Sequence, residues 1–473
     1  MDPVFELAID VPPPGSRHLL RDLHRQLRAA ILDGRLKPGL RLPASRALAA
    51  SFGMSRNTAV ALYDLLLGEG YLVARPGAGT YVADVVAPRK GNVPIPMAPA
   101  WRDLPKVVSP PGHHAYAFDF RLGLPDQSPF PFDIWQRLSG RALRSMSKAP
   151  AAYADAQGLP ALRQAIAGHV SFARAVSCRA DDVVVTNGAQ QAFDLLARVL
   201  VTPGKTIVAV EDPGYPPMRA AFAAAGAHIV GVPVDEEGLR VDRLPSRAHI
   251  VCVTPSHQFP LGSAMSAARR VALLAYARKQ EAVIVEDDYD AEFRYGGRPL
   301  DALQTLAVGE SVFYVGTFSK SLFPSLRIGF VVAPGWARDA LVAARKLTDW
   351  HSPVLAQATL AMFIADGHLA RHVRRMRGIY AERRTILLEA LRTQLGDRCS
   401  PVPSVAGLHL SALLASPLSA DAVVERARAA GIGLESFSRY AVDGPAAEGI
   451  AFGYGTIRAE RIDEAIARLA SVI

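Results

Sequence analysis

The chain has 473 residues, half of them apolar and 21% charged, a composition that supports large buried cores and excludes a disordered chain. No apolar run reaches the ~18 residues of a membrane span, the N-terminus lacks the pattern of a secretory signal, and the scattered Cys178, Cys252 and Cys399 exclude a disulfide framework and give no zinc-site spacing. The net charge is +9, and residues 12–83 carry ten Lys and Arg against four acids, a local excess of ten minus four, or +6. A small basic module on a nearly neutral body points to a polyanion partner, with a solvated basic face as the alternative. A soluble cytoplasmic protein is expected.

The first elements are helical. LLRDLHRQLRAAILDG places Leu20, Leu23, Leu27 and Ile31 on one stripe and stops at Gly34. After the turn LKPGLRLP, Ser45 is expected to cap a second helix that closes at Gly53, and Ser55 a third that closes near Gly70. Two short helices around a tight turn form a helix-turn-helix, and its geometry points Ser55, Arg56, Asn57 and Thr58 at DNA. Arg pairs with guanine edges or phosphates, Asn with adenine, and the Thr methyl contacts thymine. YLVARPGAGTYVA then reads as a strand, a glycine turn and a strand, a wing that approaches the minor groove or the phosphates. Through ILDGRLKPGLRLPASRALA, SRNTAV and GYLVARPGAGTYV the stretch resembles the GntR-type winged helix-turn-helix over its whole length. The resemblance implies double-stranded operator DNA as partner, held by Arg46 and Arg56, with Ser45, Thr58 and the wing from Gly77 through Gly79 to Thr80 assisting.

Residues 84–115 contain seven prolines and read as a semi-extended linker. From residue 116 onward, β-branched runs alternate with helical patterns, as in DDVVVTNG before AQQAFDLLARVL and KTIVAVEDPG before MRAAFAAAG. That alternation predicts an α/β domain over 116–473, with a mostly parallel sheet covered by helices. Ligands of such sheets bind at the carboxyl ends of the strands, here the turns TNGAQQ, EDPGYP, TPSHQFP, EDDYD and GTFSK.

These turns hold the groups that pyridoxal phosphate chemistry needs: a lysine for a Schiff base, an acid for the pyridine nitrogen, a phosphate cup and a flat ring. Lys320 follows a strand between apolar segments, with Thr317 just before it and Arg327 close after it. Asp287 and Tyr289 end another strand inside a run of four acids that cannot all be buried unpaired. With no histidine nearby, a ring partner is preferred there over a metal or a polar loop, and no metal is expected. Gly188, Ala189 and Gln190 open a helix whose free N–H groups suit a phosphate, and the Tyr215 ring can stack on a flat cofactor.

From Phe118 to the C-terminus, YADAQGLPALRQAIA, TNGAQQAFDLLARVL, VEDPGYPPMRAAF, VEDDYDAEFRYGGRPLDALQ and YVGTFSKSLFPSLRIGF together resemble fold-type-I aminotransferases. Joined to the winged helix, the whole chain resembles the MocR/GabR family of transcription regulators. The resemblance implies pyridoxal 5'-phosphate on Lys320 as an internal aldimine, Asp287 on the pyridine nitrogen, Tyr289 on the phenolic oxygen and Tyr215 stacked on the ring. It gives the phosphate to Arg327, Thr317, Ala189 and Gln190. Tyr153 matches a tyrosine that reaches a neighbour's phosphate, which requires the homodimer that the family also implies.

Two positions depart from the enzymes. Phe259 stands where many aminotransferases have an Asn on the phenolic oxygen, and Ala451 stands where an Arg grips the substrate carboxylate. Ala451 removes a bidentate clamp, which Arg219, His409 or Arg439 could replace. The expectation is therefore a dimeric DNA-binding regulator with the cofactor as sensor for a small amine or vitamer effector. The alternatives are a working aminotransferase with an appended DNA-binding domain, and a regulator whose effector is the cofactor itself.

Overall fold

The computed structural model describes residues 18–85, 116–150, 152–290, 292–296, 301–307, 311–444 and 447–473, together with Ile9, Asp10, Pro12, Ser16 and Trp101. The chain divides into two compact units, residues 1–96 and 97–473. Nearly all of the proline-rich stretch at 84–115 lies outside the described residues.

The first unit contains α1 (Leu19–Leu32), α2 (Ser45–Ser51), α3 (Arg56–Gly68) and an antiparallel hairpin of β1 (Leu72–Arg75) and β2 (Gly79–Val82). Leu23, Leu27 and Ile31 of the α1 stripe are buried against Leu48, Leu62, Leu66 and Leu72. Ser55 caps α3, accepting a hydrogen bond from the Thr58 amide at 3.1 Å. Ser45 does not cap α2. The cap position is Ala44, without a side-chain bond, and Ser45 is the first helical residue, so its hydroxyl sits one residue too far along to reach the free amides.

The second unit is built on an eight-stranded sheet. Its elements begin with β3 (Phe118–Asp119), α4 (Phe132–Met146), α5 (Pro160–Arg174), β4 (Val183–Thr186), α6 (Ala189–Leu200), β5 (Ile207–Asp212), α7 (Pro216–Ala224), β6 (His228–Asp235) and β7 (Gly238–Leu239). They continue with β8 (Ile250–Val253), α8 (Ala267–Gln280), β9 (Val283–Asp288), α9 (Leu303–Leu306), β10 (Val312–Thr317) and β11 (Gly329–Val332). The strand order is β4-β11-β10-β9-β8-β5-β6-β7. The five strands from β10 through β6 are mutually parallel, while β11 runs antiparallel between β10 and β4. Both faces are covered: Val183 and Val185 of β4 enter one apolar cluster and Val184 the other, the period-two alternation of a strand buried on both sides.

Helices α10 (Gly335–Asp349), α11 (Val354–Ala365) and α12 (His368–Ala390) follow. A second, antiparallel sheet then appears that the sequence pattern did not separate. It is formed by β12 (Cys399–Pro401), β13 (His409–Leu414), β15 (Glu435–Ser436) and β16 (Gly449–Gly453). Between these lie α13 (Ala420–Ala429) and β14 (Ile432–Gly433), which pairs with β3, and α14 (Ile462–Ala470) ends the unit.

Two carboxyls lie inside the large sheet. Burial pushes Glu211 of β5 up to about 7, and burial with the neighbouring Asp288 does the same to Glu286 of β9. A carboxyl with a raised folded pKa binds more protons folded than unfolded, so its stabilisation is complete below the unfolded value of about 4.3 and is lost as the pH climbs through 7. The denaturation midpoint of this unit is therefore expected to fall between about pH 5 and about pH 8. Glu211→Gln, which keeps the shape without the ionisation, is expected to flatten that fall. An unchanged slope in pH-dependent denaturant melts would refute the assignment.

Candidate functional site

On the first unit, Arg46, Arg56 and Asn57 are exposed, and none of their side chains has a hydrogen bond or ion pair among the described residues. Ser55 and Thr58 differ, because their hydroxyls bond one another at 2.8 Å and close the start of α3. In the wing, Arg75 faces Gly79 across the hairpin and its guanidinium lies 4.5 Å from the centre of the Tyr81 ring, while Thr80 is half-buried. Sequence reasoning overlooked Arg41. It bridges to Tyr81, and its guanidinium lies over Gly79, so the wing carries a second exposed cation. A backbone bridge across forty residues leaves no local signal.

On the second unit, the turns after β4, β5, β8, β9 and β10 converge on a cavity of about 630 Å³. Ala189, Gln190, Tyr215, Asp287, Tyr289, Thr317, Lys320 and Arg327 all line it, as do Arg219, Phe259, His409, Glu435 and Arg439. Tyr153 does not line the cavity of its own chain: its exposed ring packs on Trp350, with centroids 4.5 Å apart.

The four acids around the end of β9 have separate fates. Glu286 accepts the Leu303 and Gln304 amides. Asp288 pairs with Arg174 at 2.7 Å and accepts the Tyr314 hydroxyl at 2.6 Å. Asp290 meets the His257 Nδ1 at 3.0 Å and accepts the Leu408 amide. Asp287 alone has no hydrogen bond to its carboxylate among the described residues, and its Oδ1 is shut off from solvent. Burial, reinforced by Asp288, Asp290 and Glu211, drives its pKa far above the usual range. A cation brought against it would relieve that cost.

The expectation that no histidine stands near these acids does not hold. The turn after β8 carries His257 to Asp290, and β13 carries His409 so that the two imidazole centroids lie 4.4 Å apart. Ligand atoms of His257, Asp290 and His409 lie within 4.8 Å of one another. Several of their atoms are engaged already, His257 Nδ1 with Asp290, Asp290 with the Leu408 amide, and His409 Nε2 donating to the Pro260 carbonyl at 3.0 Å, whereas His257 Nε2 is buried without a hydrogen-bond partner among the described residues.

The Lys320 ammonium donates to the Gly123 carbonyl at 2.6 Å, and burial lowers its pKa, which favours the neutral, nucleophilic amine. Gly123 has φ +75°, and a Cβ there would meet Lys320 Nζ at 2.8 Å. Arg327 donates to the Asn187 carbonyl at 2.9 Å, and a Cβ on Gly188, at φ +77°, would stand 2.7 Å from its guanidinium. Both glycines thus keep the cations free to face the cavity. Gly188 also leaves the first-turn amides of α6, at Ala189 and Gln190, open beside Arg327. The Thr317 hydroxyl bonds Ser319 Oγ at 3.0 Å in the turn that presents Lys320.

Aromatic rings form one wall. Phe259 makes edge contacts with Tyr215 (centroids 5.3 Å), Tyr440 (5.0 Å) and Tyr289 (6.0 Å). Burial pushes the Tyr215 phenol up to about 12, so it stays neutral. The Tyr289 hydroxyl donates to the His257 carbonyl at 3.0 Å and lies 3.1 Å from its Nδ1. Of the two polar neighbours of Phe259, His257 therefore touches Tyr289, while the Gln258 amide turns away to the Pro213 and Phe259 carbonyls. Ala451 is fully buried on β16, opposite Ser411 on one side and Glu435 on the other.

Comparisons with known proteins agree with both halves. Residues 19–82 match the bacterial regulatory proteins of the gntR family, and residues 131–432 match the class I and II aminotransferases. The chain is 38% identical to a probable rhizopine catabolism regulatory protein, MocR, of Rhizobium meliloti, over 99% of this chain and 95% of that one. It is 32% identical to the pyridoxine biosynthesis transcriptional regulator PdxR of Corynebacterium glutamicum, over 95% of each. The crystal structure of a Pyrococcus horikoshii kynurenine aminotransferase superposes with a TM-score of 0.71 at 27% identity, over 80% of this chain and 95% of that one. Among the described residues no helix is long and apolar enough to cross a membrane. A winged helix with an open basic face and an aminotransferase fold with a lysine-bearing cavity occur here in one polypeptide, and the chain belongs to the MocR/GabR family of transcription regulators.

Proposed function

We propose that the chain is a cytoplasmic transcription regulator that binds double-stranded operator DNA through residues 12–83 and holds pyridoxal 5'-phosphate within residues 116–473 as the receiver for a small amine or vitamer. The observation that carries this reading is Asp287: a buried carboxyl with no hydrogen bond among the described residues, lining a cavity that also presents the Lys320 amine. The residues fit the cofactor. Asp287 answers a protonated pyridine nitrogen, and the Ala189 and Gln190 amides with Arg327 and Thr317 form a phosphate cup. Tyr215 offers a flat ring and Tyr289 a hydroxyl. The chemistry supplied when the cofactor is bound is that of an aldehyde conjugated to an electron-withdrawing ring. Lys320, kept partly neutral by burial, is the nucleophile for that carbonyl. The aromatic wall around Phe259 excludes water from it.

The chain acts as a homodimer in this reading, with the exposed ring of Tyr153 directed to a second copy. The residues 84–115 link the two units. Catalytic turnover is not its role. Ala451 leaves β16 without a cation, so steady-state transamination with common amino acids is expected far below the ~1–10³ per second of ordinary enzymes.

Borohydride reduction followed by peptide mapping tests the cavity. The label is expected on Lys320 in the unaltered protein and absent in Lys320→Ala, which should still bind DNA but no longer change affinity when the effector is added. No label at that position, or an effector response surviving in the variant, would leave the large unit as a dimerisation scaffold.

DNA binding is tested by titration at several salt concentrations. Arg56→Ala is expected to cost about 1–3 kcal/mol and relax base preference. Arg46→Ala is expected to weaken all sequences alike and lower the salt slope by about one. Unchanged affinity in both variants at matched salt would overturn the groove assignment.

A further inference from the structure

His257 and Asp290 are almost wholly buried, and both Asp290 oxygens lie against His257 Nδ1, at 3.0 and 3.2 Å. A carboxylate only accepts, so the imidazole carries its proton at Nδ1. The buried Nε2 is then a bare acceptor. A proton there instead would leave an N–H with no partner among the described residues, the rarer of the two in protein interiors. The pair has little room to move. A Cβ on Gly407, at φ +85°, would collide with His257 Nδ1 and Cε1 and stand 2.7 Å from the Asp290 carboxylate. The Gly407 carbonyl is held in turn by the Tyr295 and Tyr454 hydroxyls, at 2.6 and 2.7 Å.

Tyr289 lines the cavity and touches this pair with its hydroxyl. Burial, with Asp290, Asp287, Glu211 and Asp288 around it, holds the phenol far above its usual range, so it keeps its proton. Because Nδ1 is already a donor, that proton has only the His257 carbonyl, at 3.0 Å, to bond among the described residues. Phe259 presents a ring edge and no polar group, and the Gln258 amide turns away.

We infer that His257, its tautomer fixed by Asp290, is the positioning residue that lets Tyr289 direct its proton into the cavity. The Tyr289 O–H turns from the His257 carbonyl toward an anionic oxygen of the cofactor. Through that turn the phenol oxygen is held by Nδ1–H, at 3.1 Å, which Asp290 and Tyr289 share. No proton is transferred, and only the direction of the O–H changes. The bond from the imidazole polarises the phenol and makes it the better donor. The inference rests on pyridoxal phosphate occupying the cavity and adds the residue that sets the direction of this proton.

The test follows the absorbance of the full-length, cofactor-loaded protein across a pH series. Its midpoint reports the proton shared by the lysine nitrogen and the cofactor's phenolic oxygen, and losing a donor to that oxygen raises it. Asp290 is left unaltered, because its charge acts on Lys320 directly. His257→Gln and His257→Phe, which remove the donor at Nδ1, are expected to raise the midpoint by about one unit or more, as is Tyr289→Phe. His257→Asn, whose amide N–H stands where Nδ1–H stood, is expected to keep the midpoint near that of the unaltered protein. A merely structural role predicts the reverse, because Asn leaves the larger void. In the Tyr289→Phe background the His257 variants are expected to have no further effect. Melting of the cofactor-free proteins identifies a loss variant that has not folded, and the other then decides. An unmoved midpoint in Tyr289→Phe or in the folded loss variants, no rescue by Asn, or shifts that add to that of Tyr289→Phe overturn the positioning role and leave the cofactor site intact. No cofactor band in the unaltered protein overturns both.

Discussion

The structure of the large unit turns on a carboxyl that the fold buries without a hydrogen bond among the described residues. Three of the four acids at the end of β9 are satisfied by partners from other elements: amides at the start of α9, Arg174 with Tyr314, and His257 with the Leu408 amide. Those partners fix the turn after β9 in place. Asp287, on the same strand, is thereby held in the interior without any of them. A charge in that setting is costly until a cation arrives. Everything around it suits that arrival, including the open amides of α6, two cations kept clear by glycines, and a wall of neutral phenols.

Sequence reasoning reached the parts of this site that are local. Lys320, Asp287, Tyr215 and the Ala189–Gln190 turn each sit directly after a strand, and the rule that ligands bind at strand carboxyl ends finds them without knowing the strand order. What it could not see were partnerships across the chain. The bond between the Tyr289 hydroxyl and His257 spans thirty-two residues, and the contact between His257 and Asp290 thirty-three. Nothing in EDDYD announces a histidine. The second sheet was hidden for another reason. Two of its four strands, β12 and β15, have only three and two residues, too few for an alternating pattern to register. At α2 the error was one residue, enough to move Ser45 from the cap into the helix.

The two departures from the enzymes acquire physical meaning in three dimensions. Phe259 does not leave the Tyr289 hydroxyl free, because the backbone of the same loop brings the His257 carbonyl within 3.0 Å of it. The ring itself joins Tyr215 and Tyr440 into one aromatic surface. Ala451 is tightly enclosed between two strands, next to a carboxylate. An arginine there would face Glu435 rather than an empty wall.

The hydroxyl pair of Ser55 and Thr58 bears on the other half of the molecule. By closing the first turn of α3 from both sides, it freezes the backbone of Arg56 and Asn57, which lie between them. Fixing a residue's backbone costs about 1–2 kcal/mol of conformational entropy, and here that loss is taken during folding. Two side chains that reach outward from an already rigid platform need only settle their own rotamers on meeting a target. The start of α3 thus presents Arg56 and Asn57 from a backbone that is ordered before any contact has been made.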